Sequence, residues 1–415
     1  MTKTMTAGHA RFVYRLRVPA SARRELEAEW ARCRWVWNEC VARSQGTHAH
    51  NLDNPQDKRT CGPAELDRML TRARSITPWL REGSCVPQQQ IIRDFGRARA
   101  KAIKDITAKL PAHQRTGMPR LKARKGKRAS RPSLNYTRRG FRLTGQGDST
   151  MTGGRLWLAG GIQVGVVWSR PLPAGPSSVR VFQDRLGHWY ASFVVPAALD
   201  PLPATGQVIG IDWGVKALAI TTSDAHDLEH PQHGAKAAAR LAAAQRMMAR
   251  RRPEKGRLPS RGYREAQRMA AKAYRKVARQ RQDTARKWAK KVVRAHDVLA
   301  VEDFRPQFLA KSPMARKAAD AAIGAAKQAV VDMGRKHGRD VHLIPPAHTT
   351  TDCAACGARA KSRLPLSART YRCDVCGISV PRDKNSAFVM LRRAGLTPAG
   401  VDRVRLGRPQ DERAA

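Results

Sequence analysis

The chain is short of acid. Its 415 residues hold 33 Asp and Glu against 79 Lys and Arg, a formal net charge of +46. A compact fold with that charge repels itself unless a polyanion shares its surface, so nucleic acid is the implied partner. Long apolar runs are also missing. No stretch approaches the roughly 20 residues that cross a bilayer, and there is no lipidation signal, so no membrane partner is expected. The first ten residues lack the apolar core of a secretory signal. The expectation is an intracellular location with reduced thiols. No Gly-Lys-Ser/Thr loop is present to cradle phosphates, so no ATP is expected. No His or Ser constellation points to nucleophilic catalysis. Aromatics are scarce at 6%, yet they are interleaved with the basic residues, which suits base stacking alongside phosphate contact.

What is there is a chain with enough apolar residue, 41%, for a real core. Arg11 to Val18 alternates as a strand, with Phe12, Tyr14 and Leu16 on one face. Pro19 ends it, and Ser21 is placed to cap a helix running to about Arg43. Leu26, Trp30, Cys33, Trp37 and Cys40 make one buried stripe, with Arg34 and Asn38 off it. Helical pattern returns at 63–73 and 86–110, with Pro78 in the break. The region 133–196 reads as all β, with a hairpin turn at Leu186-Gly187-His188. The first strand has no partner nearby and is expected to join this sheet, the helices being an insertion.

Two segments are one-sidedly basic. Lys122 to Arg131 includes Lys122, Arg124, Lys125, Lys127 and Arg128 and no acid. Residues 234–295 hold 21 Lys and Arg against 3 acids and read as two helices broken near Pro253 to Pro259. A solvated helical face normally mixes signs, so Arg275, Arg279, Arg286 and Lys290 are candidates for phosphate contact.

The most specific local pattern is cysteine. Cys353-x-x-Cys356-Gly357 and Cys373-x-x-Cys376-Gly377 are two knuckles with the spacing of a closed four-thiolate site for one structural Zn²⁺. Cys33, Cys40, Cys61 and Cys85 show no such pairing and read as small buried residues. Acids in apolar settings form the second pattern. Val208-Ile209-Gly210-Ile211-Asp212-Trp213-Gly214 is a buried strand carrying one carboxylate, hairpinned to Ala217–Thr222. Val298 to Val301 is a strand ending at Glu302, and Asp383 opens a helix. Each alone is an ordinary acid. Brought together they repel, and two Mg²⁺ about 4 Å apart would relieve that and clamp a phosphate for attack by water.

These motifs in this order resemble the TnpB family, RNA-guided DNA endonucleases encoded by insertion sequences and related to type V CRISPR effectors. The matching stretches are Gly210-Ile211-Asp212-Trp213-Gly214, Val301-Glu302-Asp303-Phe304, the double Cys-x-x-Cys, and Arg382-Asp383-Lys384-Asn385-Ser386-Ala387. The resemblance extends to Arg34 and Asn38, to residues 117–122 and to residues 189–193.

It implies a multidomain α/β protein. An RNase H-like (RuvC) nuclease domain, split by helices and a zinc ribbon, would follow a β-barrel wedge domain with an inserted helical recognition module. The expected segments are wedge 1–20 and 117–200, recognition module 21–116, nuclease 201–345 and 381–394, ribbon 346–380, and a disordered tail 395–415. Asp212, Glu302 and Asp383 match the family's catalytic acids. The partners implied are a guide RNA and double-stranded target DNA in a prokaryotic cytoplasm. A guide-directed repressor that does not cut and a CRISPR-associated effector are the alternatives. The chain departs from the family at Pro381, Ser386, Val389 and Phe304-Arg305, none of them a presumed metal ligand.

Overall fold

The computed structural model describes residues 8–112, 114–124, 129–145, 153–254, 257–304, 314–362, 364–365 and 367–396. The expected tail beyond Leu396 lies outside them. The chain divides into two compact units, 1–198 and 199–415.

The first unit begins with β1 (His9–Arg17), whose Tyr14 and Leu16 are buried while Arg11, Arg15 and Arg17 face out. Four helices follow: α1 (Ala20–Asp53), α2 (Pro63–Ile76), α3 (Pro78–Arg81) and α4 (Cys85–Thr107). Among the described residues six more strands follow: β2 (Ser133–Thr137), β3 (Phe141–Thr144), β4 (Gly154–Leu158), β5 (Ile162–Val167), β6 (Ser178–Gln183) and β7 (Trp189–Pro196). They form one sheet in the order β2-β6-β7-β1-β5-β4-β3. The first strand therefore joins the distant sheet, as expected, and lies between β7 and β5 with Phe12 opposite Phe193. The edge strands β2 and β3 are linked only by Arg138–Gly140, a single 3-10 turn, which brings the two edges together. The sheet is nearly closed into a barrel. The helices and the sheet share one hydrophobic core, in which Trp37 meets Phe95 edge-on at 5.5 Å.

Three local expectations change. Helix α1 starts directly after Pro19 without a side-chain cap, so Ser21 lies inside it. It also runs to Asp53, ten residues past the expected end at Arg43. The stop is set by Asn54-Pro55, because the residue before a proline is pushed out of the helical region. Cys85 is exposed, not buried, since it is the first residue of α4 and precedes that helix's apolar face; Cys33, Cys40 and Cys61 are buried.

In the second unit, strands β8 (Val208–Trp213), β9 (Ala217–Thr221) and β10 (Leu228–Glu229) form an antiparallel edge. Then come α5 (His233–Arg250), α6 (Arg261–Ala295), β11 (Val298–Glu302), α7 (Ala315–Ala321), α8 (Ile323–Lys336) and β12 (Asp340–Ile344). The sheet order is β10-β9-β8-β11-β12, with β8, β11 and β12 parallel. Side chains alternate across a strand. Ile209, Ile211, Trp213, Leu299 and Val301 pack on one face, against α6 and α8. The alanine-rich stretch of α7 and α8 is broken at Ala322, which takes a positive φ of 55°.

A short hairpin, β13 (Thr370–Arg372) with β14 (Ser379–Pro381), belongs to the cysteine segment. The last helix, α9 (Arg382–Arg393), packs on the other sheet face, where Met390 and Leu391 meet Ala300. Pro381 stands just before α9 at φ −53°, a value its ring favours, so the departure there suits a helix start. No described helix is long and apolar enough to cross a membrane.

Candidate active site

Strands β8 and β11 run parallel with Ile211 opposite Val301. One residue on, Asp212 and Glu302 stand side by side on neighbouring strands, roughly 4.8 Å apart in backbone spacing. Alternation places both on the face shared with Gly210 and Ala300, which is the face α9 covers. Gly210 is required there: a Cβ would lie 2.0 Å from the Ala387 carbonyl oxygen of α9. This close approach sets α9 tightly on β8, with Asp383 in the helix's first turn.

Asp212 feels both of the other acids. Burial, then the charges of Glu302 and Asp383, hold the Asp212 carboxyl well above the usual carboxylate range, against the opposing Arg382. Glu302 is 5% exposed. Its Oε2 accepts the Trp213 backbone N–H at 3.2 Å, and its backbone oxygen accepts the Trp213 indole N–H at 3.0 Å. Burial raises it to about 7, although the Trp213 N–H and the Lys327 ammonium pull the other way. With Glu302 buried and Asp212 half-buried, acids in this state call for a proton or a cation.

The four cysteine sulfurs lie within 4.8 Å of one another and could hold a metal ion. Among the described residues no other such group occurs, so the three carboxylates are spread more widely. A site for two ions does not need all its ligands within one radius. The knuckles repeat one geometry. Gly357 and Gly377, both at positive φ, donate their N–H to Cys353 and Cys373 at 2.9 Å.

The basic candidates fall into different settings. Lys122 is half-buried with its ammonium 3.9 Å over the Trp37 ring, and its backbone N–H donates to Asn38 Oδ1 at 2.8 Å. Burial lowers its pKa. It lines a cavity of about 470 Å³ with Trp30, Asp94, Asn135 and Arg180. Arg124 is exposed. Lys125, Lys127 and Arg128 lie outside the described residues. On α6, Arg279, Arg286 and Lys290 are exposed and Arg275 is half-buried. Their spacing places them on one face, away from buried Val277, Trp288 and Val292.

Three supporting residues were not anticipated. Lys384 reaches across to Asp224 Oδ1 at 2.5 Å and Asp227 Oδ2 at 2.8 Å. Lys327 pairs with Asp303 at 2.7 Å. Asn385, 1% exposed, faces the first knuckle. Lys384 and Asn385 lie inside the motif at 382–387, but residue type alone does not say which loops they reach. Nothing in the alanine-rich α8 singles out Lys327.

A protein of Streptomyces pristinaespiralis, named as a putative RNA-guided DNA endonuclease, is 33% identical over 339 residues, 80% of this chain and 77% of the relative. The chain belongs to the TnpB family. A family model described as a probable transposase matches residues 188–311, and a Cas12f1-like TNB domain model matches residues 325–390. The putative RNA-guided DNA endonuclease InsQ of Escherichia coli K12 is 26% identical over 416 residues, 96% of this chain and 95% of InsQ. The TnpB fold of this chain is also similar to a chain in the cryo-EM structure of the Cas12f1-sgRNA-target DNA complex. That match has a TM-score of 0.51 at 10% identity and covers 92% of this chain and 98% of the other.

Proposed function

We propose that this TnpB-family chain is an RNA-guided DNA endonuclease of an insertion sequence. It binds a guide RNA, pairs it with double-stranded target DNA and cleaves by divalent-cation-dependent phosphodiester hydrolysis, without ATP. The observation that carries this is the meeting of Asp212 from β8, Glu302 from β11 and Asp383 from α9 on one face of the sheet. Acid-bearing strands that are parallel and adjacent are what an RNase H-like (RuvC) nuclease domain needs. The names of the full-length relatives point the same way. A repressor that binds without cutting needs none of these acids, and all three are present.

The residues fit two Mg²⁺. Carboxylate oxygens are hard donors of the type Mg²⁺ takes, and both Asp212 and Glu302 are pushed up chiefly by burial, Asp212 also by the charges of its two neighbours. When bound there, such a pair activates water and stabilises the departing oxygen. The chain's own contribution is placement. Trp213 fixes the Glu302 carboxylate through its backbone N–H. Gly210 lets α9 approach until Asp383 reaches the site. Lys384 ties the start of α9 to the end of β9, donating to Thr221 O at 2.8 Å.

The cysteines fit one Zn²⁺. Bonds of about 2.3 Å in a tetrahedron place sulfurs about 3.8 Å apart. The Cys353–Cys376 and Cys356–Cys373 pairs stand at 3.7 and 3.6 Å. All four positions are protein ligands, so this ion is structural and residues 346–380 are its ribbon.

On this reading residues 1–20 and 117–200 form the wedge barrel and 21–116 the recognition helices. Lys122, Arg124 and the exposed face of α6 with Arg279, Arg286 and Lys290 serve the nucleic acid. Base pairing then reads the target sequence while the protein reads backbone shape and a short adjacent motif.

The test is to purify the protein and sequence the RNA that comes with it. A discrete RNA ending in a variable guide is expected, and replacing that guide should redirect Mg²⁺-dependent cutting to a new plasmid site. Absence of such an RNA together with unguided or no cutting refutes the proposal.

A further inference from the structure

Helix α9 does two jobs. Its first turn carries Asp383, and the same helix is hydrogen-bonded along its length to the first cysteine knuckle. Asn385 Nδ2 donates to Asp352 O at 2.8 Å, and its Oδ1 accepts the Ala354 N–H at 3.0 Å. Ser386 Oγ donates to Thr349 O at 3.3 Å. Two turns further on, the Arg392 guanidinium donates to the carbonyls of Ala354, Ala355 and Cys356, at 3.3, 2.8 and 3.1 Å. Gly357 admits it, because a Cβ there would stand 2.4 Å from Arg392 Nη2. Arg393 adds a bond to Asp352 Oδ2 at 2.6 Å.

The knuckles cannot hold this shape alone. Among the described residues their own apolar cluster has four buried members, and two of these are Cys353 and Cys373. Tying the four sulfurs together therefore fixes the backbone that receives Asn385 and Arg392. On its other side α9 is anchored independently, through Lys384 to Asp224 and Asp227 and through Met390 and Leu391 to the sheet.

We infer that Asn385 and Arg392 are positioning residues that transmit the folded state of the cysteine knuckle to Asp383. This rests on the nuclease reading above. A tied knuckle sets the rotation of the first turn of α9 and so the third acid. A released knuckle leaves α9 on the sheet, held by Lys384 and its apolar face, with Asp383 misplaced. Divalent-cation affinity then falls while nucleic-acid binding persists. Displacement by about 1 Å is enough to matter at such a site.

The experiment uses the full chain. Zinc content is measured by atomic emission, Mn²⁺ binding by electron paramagnetic resonance on RNA-free protein, and half-saturating Mg²⁺ for guided cleavage on the loaded complex. Asn385→Ala and Arg392→Ala should each weaken Mn²⁺ binding and raise half-saturating Mg²⁺ by about tenfold or more, the range for loss of an outer partner of a metal ligand. Arg392→Lys, which keeps charge but not the fork, should fall between. Guide and target affinity should match wild type.

A second arm avoids variants that misfold. In a Cys85→Ser background, which removes the other exposed thiol, an organomercurial displaces zinc from the knuckle cysteines. Mn²⁺ affinity should drop as zinc is released. Unchanged Mn²⁺ affinity after zinc release, or in both alanine variants, overturns the inference alone. Wild-type protein that binds no Mn²⁺ overturns the nuclease reading and the inference together.

Discussion

Replacing Gly210 by alanine sets a methyl group against the helix that carries the third acid. The added Cβ would stand 2.0 Å from the Ala387 carbonyl oxygen, 3.0 Å from its carbon and 3.1 Å from Leu391 Cγ. Ordinary contact begins near 3.4 Å, so β8 and α9 must part by the order of 1 Å. The obstacle is backbone, which cannot swing aside as a side chain can. Alanine restricts the unfolded chain and so returns about 0.4–1 kcal/mol. Overpacking costs about 1–3 kcal/mol, so the net effect is destabilising. The larger consequence is for the reaction. Asp383 rides on the displaced helix, and a shift near 1 Å costs about 10²-fold in rate. The assay is guided cleavage at saturating guide and target, with target binding and thermal unfolding measured in parallel. The expected result is intact binding, a modest fall in Tm and a cleavage rate lower by about two orders of magnitude. Cleavage within twofold of wild type at unchanged Tm would refute the argument that this contact places Asp383.

Asp320 joins three helices: it accepts the N–H groups of Gly234 and Ala235 at 2.7 and 2.9 Å and pairs with Arg281 at 2.8 Å. Asp320→Ala should cost about 2–4 kcal/mol in denaturant unfolding. Burial alone would raise its pKa, but the bonds from Arg281, Gly234 and Ala235 outweigh that and hold it below the ordinary value. Its contribution is therefore complete above the unfolded-state pKa of about 3.9 and is lost as pH falls toward the folded value. The gap between wild type and Asp320→Asn should accordingly shrink between pH 7 and pH 3, and a constant gap would contradict the assignment. Charge reversal at Arg279, Arg286 and Lys290 should reduce the slope of log affinity against log salt by about 0.7–0.9 for each phosphate contact removed. An unaltered slope would mean that this face of α6 does not meet phosphate. Cys353→Ser should abolish stoichiometric zinc and lower Tm, since the ribbon has almost no core of its own. Unchanged metal content would count against the four-thiolate site.

Much of the site can be read from residue order because its parts are local. An apolar strand that carries one acid, a second that ends on one, and two Cys-x-x-Cys-Gly knuckles are short-range patterns. The joining of β1 to a sheet more than a hundred residues away also follows, since an alternating strand without a neighbour must pair somewhere. What escapes is set by tertiary contact. The run of α1 past its stripe depends on where the next breaker falls, at Asn54-Pro55. The break at Ala322 falls on an alanine, while the weak helix former Gly324 two residues on lies inside α8. Lys122 looks like one more cation in a basic loop, yet the Trp37 ring and Asn38 draw it half inside. Lys384 and Asn385 are adjacent in one motif but point to different loops, and only the placement of α9 reveals it.

The central claim is that Asp212, Glu302 and Asp383 act together as the cation-binding acids of a nuclease. The most direct measurement compares wild type with Asp212→Asn, Glu302→Gln and Asp383→Asn, each nearly isosteric. Guide binding, target binding and Mg²⁺-dependent cleavage are measured on the same preparations. The account predicts that all three variants bind guide and target as wild type does and that none cuts. Full cleavage by any one of them would contradict it.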